Sequence, residues 1–319
     1  MGRPATTWTH VSRAIGHATG SPVGRCMGMP IIHVVARALR GHKPLLEPRA
    51  AWWLMWRLRI AFPEALSACV LPDHFHLITC TPDPPRARGR LSKILAVLTV
   101  RAGMRHLFEP VPEPRVVPPG GHLERSVRYV HLNPCRAGLV SDPLSWPWST
   151  HRGLIGAELD PWVTTEALAG ALGRPARGLA EWLHAYVSGD STVAVEGTEF
   201  PTPALPTDVP GALLGTVRVA ALSATPWSPG WRRRKLVVEL ARHQGWSDAD
   251  LIARTAGFCA RSARRCRTAA RDRVAERAAA LCLGDPRLLL PEAWLRPLGP
   301  VARWPGASAS GTLAGRAFA

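Results

Sequence analysis

His74 and His76 stand two residues apart in the apolar run "LPDHFHLITC", residues 71–80. Alternate side chains of a β-strand share a face, so the two imidazoles project side by side while Phe75 and Leu77 pack behind them. Two adjacent ring nitrogens make a claw for a metal ion. A second pair follows in "HLERSVRYVHLNP", where Tyr129 and Asn133 are four residues apart. That spacing sets a phenol and an amide on one face of a helix. If the helix packs beside the histidine strand, Tyr129 becomes a nucleophile and Asn133 a third, oxygen ligand beside His74 and His76. Mixed nitrogen and oxygen donors with open positions suit Mg²⁺ or Mn²⁺ in phosphate chemistry. Ligating histidines must be neutral, so activity should fall in acid. The plainer reading of the same residues is structural: rings satisfied by backbone carbonyls or water, and a tyrosine in a core or at its rim.

The elements that must hold these residues follow from periodicity. Residues 30–39, "PIIHVVARAL", are β-branched and apolar, which predicts a strand. Residues 47–62 predict a helix opened by Glu-Pro, with Trp52, Trp53 and Trp56 packed on a sheet. "ALSACV" and "HFHLIT" read as a hairpin across a Leu-Pro-Asp turn. Residues 90–108 predict a second helix, and residues 109–121, rich in proline, no regular structure. The tyrosine helix, residues 122–134, should stop at Asn133, because a residue before proline avoids the α region. The order β-α-β-β-α predicts a small α+β domain, an antiparallel sheet with helices on one face.

The 319-residue chain exceeds one average domain, so two are expected. Its 40 Lys and Arg against 23 Asp and Glu leave a net charge of +17, a field suited to a polyanion such as nucleic acid. A GC-rich genome would also enrich Arg, Ala and Pro, so where the charge sits matters more than its sum. Residues 230–280 concentrate it, with 13 Lys and Arg against 5 Asp and Glu. There a helix over 232–244, a start at Ser247 with Asp250, a short helix, a turn at Gly257 and a long basic helix follow one another. That is a helix-turn-helix pattern, with Arg261, Arg264, Arg265, Arg267 and Arg271 as candidate nucleic-acid contacts. The alternative is a solvated basic face on an ordinary three-helix bundle.

The seven cysteines are scattered and never spaced as Cys-x-x-Cys, which implies no zinc ribbon or disulfide framework and fits a reducing cytoplasm. No stretch approaches the roughly 18 apolar residues of a membrane span, so no membrane partner is expected. The expected organisation is an N-terminal extension (1–28), a catalytic domain (29–157), a helical segment with a Pro-rich linker (158–229), the helix-turn-helix domain (230–285) and a tail (286–319).

"LPDHFHLI" followed by "RSVRYVHLNPCRAGLVSDPLSWPWST" resembles the single-tyrosine HUH transposases, in particular the REP-associated tyrosine transposase branch. The likeness runs from about residue 30 to 154, with both motifs in the family's order. It implies an HUH-endonuclease-like, ferredoxin-like α+β domain and metal-dependent cleavage and rejoining of single-stranded or hairpin DNA in transposition. By the same resemblance the histidine pair falls on His74 and His76, the nucleophile on Tyr129 and the third ligand on Asn133. Attack by Tyr129 would leave a 5′-phosphotyrosine and a free 3′-OH. Some relatives are dimers; here the oligomeric state stays open. Histidine-triad hydrolases need a further His two positions on, where this chain has Ile78. A non-catalytic, domesticated DNA-binding protein that uses only the basic helix is the alternative function.

Overall fold

The computed structural model describes residues 28–196, 199–202, 213–224 and 228–283, with Asp285 and Leu288. Residues 1–27 of the expected N-terminal extension, part of the Pro-rich linker and the C-terminal tail apart from Leu288 lie outside the described residues.

Three strands and their hairpin build the sheet where the sequence places them: β1 (Ile31–Arg37), β2 (Ala65–Val70) and β3 (His74–Cys80). A fourth, β4 (Arg115–Val116), pairs antiparallel with β1 and completes the order β2-β3-β1-β4. The expectation of no regular structure across the Pro-rich segment is therefore corrected. Proline removes only its own N–H, and the non-proline pair Arg115-Val116 is free to bond at an edge.

Register then sorts the side chains. Val35 lies opposite His76 and Arg37 opposite His74 on one side of β3, while Cys69 of β2 lies opposite His76 on the other. One face thus collects His33, Arg37, Cys69, His74 and His76, and the other Ile32, Val34, Phe75 and Leu77. His76 and Cys69 are buried on the first face and Phe75 and Leu77 on the second, so the sheet is covered on both faces, not on one as expected.

Helix α1 (Pro48–Ala61) starts as its sequence signals, with Pro48 in the first turn and the Glu47 carboxylate accepting from the Ala50 N–H at 2.8 Å. Of its tryptophans Trp53 is buried, whereas Trp52 and Trp56 line a cavity with Trp148 and Trp162. Helix α2 (Pro84–Arg101) begins earlier than residue 90, because Asp83 caps it at the Arg86 N–H, and ends earlier than 108, just before Gly103 at φ +70°. Helix α3 (Gly121–Arg136) carries Tyr129 and runs through Pro134 instead of stopping at Asn133. A proline near a helix end costs one hydrogen bond, and the last turn still closes, with Ala137 N–H donating to Asn133 O and Leu139 N–H to Pro134 O.

Residues 146–150, "WPWST", seal the outer edge of β2. Val70 N–H donates to Trp148 O, Thr150 N–H donates to Ala68 O, and the Trp146 indole donates to Val70 O. Short helices α4 (His151–Leu154), α5 (Thr165–Leu172) and α6 (Leu179–Ser188) follow, and α5 and α6 add Leu168, Leu179 and Leu183 to the core of the sheet.

A second apolar cluster joins α7 (Leu213–Ser223), α8 (Gly230–His243), α9 (Ala249–Ala256), α10 (Ala260–Arg267) and α11 (Arg273–Cys282) through Val219, Leu236, Leu240, Ile252, Ala263 and Ala279. The long basic helix expected after Gly257 is two helices. Asp272 caps α11 by accepting from the Val274 and Ala275 N–H groups, which ends the earlier run. Likewise Asp248, not Ser247, caps α9. Arg277 of α11 donates to the carbonyls of Ile155, Gly156 and Pro201. A buried Arg152–Asp285 ion pair at 3.0 Å makes a second tie between the two clusters.

No helix among the described residues is long and apolar enough to cross a membrane. Cys69, Cys135, Cys259 and Cys266 are free thiols, whereas Cys80 is disulfide-bonded, a departure from the expected absence of disulfides.

Candidate active site

The strand histidines sit as the alternation requires, with ring centroids 5.0 Å apart. Each has a partner on Nδ1. The Asp73 carboxylate lies 2.7 Å from His74 Nδ1, and because a carboxylate only accepts, that nitrogen carries a proton; in the neutral ring Nε2 is then the lone-pair nitrogen. His76 Nδ1 lies 3.0 Å from Nε2 of His33, and the two rings stack with centroids 5.3 Å apart. Only 2% of His76 is exposed, and its Nε2 is buried with no hydrogen-bond partner.

Burial, reinforced by the neighbouring His33, His74 and Arg37, lowers the pKa of His76 to about 3. Burial and Arg115 lower that of His33 to about 4. Both rings are therefore neutral at physiological pH, the state a ligand requires.

Helix α3 crosses this face. Its inward residue His131 meets Ser67 Oγ of β2 at 3.0 Å, which fixes the helix against the sheet. Two residues earlier, Tyr129 brings its ring to 5.6 Å from His76 and remains 43% exposed. The Arg136 guanidinium lies 4.9 Å from the centre of the Tyr129 ring. Asp190, beyond α6, accepts from Arg136 at 3.2 Å and pairs with Arg128 at 3.3 Å. Thr192, through its hydroxyl and then its N–H, holds the Asp190 carboxyl below the ordinary range, and the two arginines add to this.

A cleft of about 540 Å³ opens over these groups, lined among others by His33, Arg37, His76, Arg115 and Tyr129. Its lining sets imidazole rings, a phenol and two guanidinium groups beside the carboxylates of Glu109 and Glu113.

Tertiary structure thus brings His76 beside both His74 and Tyr129, with His74 itself outside the cleft lining. Asn133 follows Tyr129 by one turn; it is buried, its amide nitrogen has no hydrogen-bond partner, and it is outside the cleft lining. Arg261, Arg264, Arg265 and Arg267 are exposed on α10, and Arg271 is exposed in the connection to α11, where it pairs with Glu276 at 3.1 Å. They belong to the second cluster. A cleft there of about 620 Å³ sets Trp231, 60% exposed, beside Arg234, Arg265, Arg271 and Arg273.

Sequence reading missed His33, Asp73, Arg136 and Asp190. Asp73 was within reach as a carboxylate directly before a candidate ligand. His33, a lone polar ring in an apolar strand, carried a weaker signal, and nothing local marks Asp190.

No protein-family model matches this chain. No curated protein matches it. Among solved structures it is similar to one described as the structure of the REP associates tyrosine transposase bound to a REP hairpin, at 22% identity over 40% of this chain and 79% of that chain, with a TM-score of 0.34.

Proposed function

We propose that this chain is a transposase-like, metal-dependent single-strand DNA endonuclease and strand transferase that works through a 5′-phosphotyrosine intermediate. One observation carries the reading. An exposed tyrosine lies against a buried, neutral histidine whose Nε2 has no protein partner, beside a second strand histidine whose Nδ1 is held by the Asp73 carboxylate.

The donor set fits a divalent ion: two imidazole Nε2 lone pairs from His74 and His76, with the Asn133 amide as the proposed third donor. What Mg²⁺ or Mn²⁺ supplies when bound is neutralisation of charge on the scissile phosphate. Tyr129 attacks phosphorus through its phenolic oxygen. The bond to the 3′ oxygen breaks, the phenol proton leaves, and the 3′ oxygen is protonated as a free hydroxyl. One phosphate ester replaces another, so a 3′-OH from a second strand can reverse the step without ATP. Arg37 and Arg115, on the cleft wall, hold the phosphate backbone.

In this proposal residues 29–157 form the catalytic domain and residues 230–285 a helix-turn-helix, with α9, the left-handed Gly257 at φ +71° and α10 as its two helices and turn. The exposed arginines of α10, with Arg271 at its flank, contact DNA.

The test is a denaturing gel of the protein with end-labelled single-stranded DNA from the sequence flanking its own gene. A covalent adduct is expected from the wild type and from Tyr186→Phe, and none from Tyr129→Phe. An adduct that persists in Tyr129→Phe overturns the assignment. Binding without any adduct in the wild type favours the domesticated, non-catalytic alternative.

A further inference from the structure

Outside the residues already given roles, the most constrained polar contact at the site is the one between two histidines on neighbouring strands. We infer that His33 is a positioning residue: it keeps the proton of His76 on Nδ1 and so leaves the Nε2 lone pair of His76 free to take a metal ion. The inference rests on the metal-site reading above and names a residue that neither motif contains.

His33 Nε2 and His76 Nδ1 are 3.0 Å apart, and one proton lies between them. Two arrangements are available to a pair of neutral rings. In the first, His76 donates from Nδ1 to His33, and Nε2 of His76 is an unprotonated lone pair. In the second, His33 donates, and His76 carries its proton on Nε2. That second nitrogen is buried and has no hydrogen-bond partner. Orphaned buried N–H groups are rarer and costlier than under-used acceptors, so the first arrangement is favoured.

In its neutral form His74 reaches the same state by another route, since the Asp73 carboxylate at 2.7 Å can only accept from its Nδ1. Two unrelated partners, one a carboxylate and one an imidazole, thus leave both strand histidines with Nε2 available. β3 alone does not disclose this, because the second partner comes from β1. Register sets Val35 opposite His76, and His33 is its diagonal neighbour on the same face, a separation an aromatic ring can bridge. Stacking of the rings, with an interplanar angle of 29°, fixes the orientation further. His33 is not a third ligand in this scheme, because its Nε2 is committed to His76. Among the described residues no three His, Cys, Asp or Glu side chains are grouped to hold a metal. Partners on the distal nitrogen of a ligating histidine commonly set its tautomer and basicity, and removing one costs about 10- to 100-fold in metal affinity.

The experiment uses the full chain labelled with ¹⁵N-histidine, with His76 identified by comparison with His76→Gln. Long-range proton–nitrogen correlation reads the tautomer without metal, and calorimetric titration with Mn²⁺ reads affinity. In the wild type His76 should carry its proton on Nδ1. In His33→Leu the population should move to the Nε2-protonated form, and Mn²⁺ should bind about 10- to 100-fold more weakly. His33→Gln restores an acceptor oxygen, so its affinity should return to within a few-fold of wild type, and it guards against a Leu variant that folds poorly. An Nε2-protonated His76 in the wild type overturns the inference. So does a folded His33→Leu with unchanged tautomer and affinity. If the wild type binds no Mn²⁺ the metal reading fails, and the tautomer comparison alone then decides the role of His33.

Discussion

Arg136 stacks on the ring of Tyr129 at 4.9 Å, and Asp190 holds the same guanidinium at 3.2 Å. Tyr129 is exposed on a helix surface, where a free phenol would sample several rotamers. A cation over its ring narrows them, and Asp190 narrows those of the cation. An exposed cation–π contact contributes about 0.5–1 kcal/mol. Arg136→Ala should therefore slow single-turnover adduct formation by about two- to five-fold. Asp190→Asn should act in the same direction, and Arg136→Lys should recover part of the loss. Quench-flow with excess enzyme measures the rate; equal rates in wild type and Arg136→Ala would remove the arginine from the positioning of Tyr129.

Chelation separates an exchangeable ion from a structural one. EDTA should abolish cleavage, and Mg²⁺ or Mn²⁺ should restore it, while circular dichroism and the thermal midpoint change little. The strand that carries the histidines is anchored by Phe75 and Leu77 in the apolar core on its opposite face, side chains that bind no metal. Cooperative unfolding on chelation is the outcome that contradicts this.

Asn133→Ala tests the third donor. Activity should fall at low Mn²⁺ and recover in large part at high Mn²⁺, since removing a ligand weakens affinity more than it alters chemistry. A loss that Mn²⁺ cannot rescue would assign the buried amide to packing of the last turn of α3.

Binding by α10 is better probed by substitution than by truncation. Cutting at Gly230 would also remove Arg277 and Asp285, which bond to Ile155 and Arg152 across the two clusters. Replacing Arg261, Arg264, Arg265 and Arg267 with Ala should weaken duplex binding and lower the log–log salt slope by roughly 0.9 for each phosphate no longer neutralised. An unchanged slope in filter binding across a several-fold range of salt would make α10 a solvated face.

Acid should destabilise the fold through two buried histidines that the proposed chemistry does not use, His131 and His151. Burial lowers the pKa of His131 to about 3, and it holds His151 well below the ordinary value, with His131 and His184 adding to it. Unfolded, these rings bind protons near pH 6.5, so stability is full above that pH and is lost as the pH falls toward 3. Thermal midpoints measured from pH 8 to 4 should hold steady and then drop below about 6.5. His131→Gln should flatten the drop. A wild-type midpoint that does not move between pH 6.5 and 4.5 would contradict the sign.

Local periodicity by itself determined that His74 and His76 share a face and that Tyr129 and Asn133 lie one turn apart. Both follow from the repeat of a strand or a helix and need no knowledge of the neighbours. Local chemistry also marked most elements: Glu47-Pro48 opens α1, β-branched residues make β1, and Gly257 turns the chain between α9 and α10. It overreached where two signals compete at one point. The Arg- and Ala-rich run after Gly257 contains good helix formers throughout, and only the capping of Val274 and Ala275 by Asp272 shows where the helix breaks. Pro134 reads as a stop, yet α3 continues, because packing outweighs one missing hydrogen bond. The partners of the site belong to tertiary structure alone. His33 is 43 residues from His76 and Asp190 is 54 from Arg136. A slip of one residue in the β1–β3 register would turn His33 to the opposite face, so the pairing exists only because two whole strands are fixed against each other by the cores on both sides of the sheet.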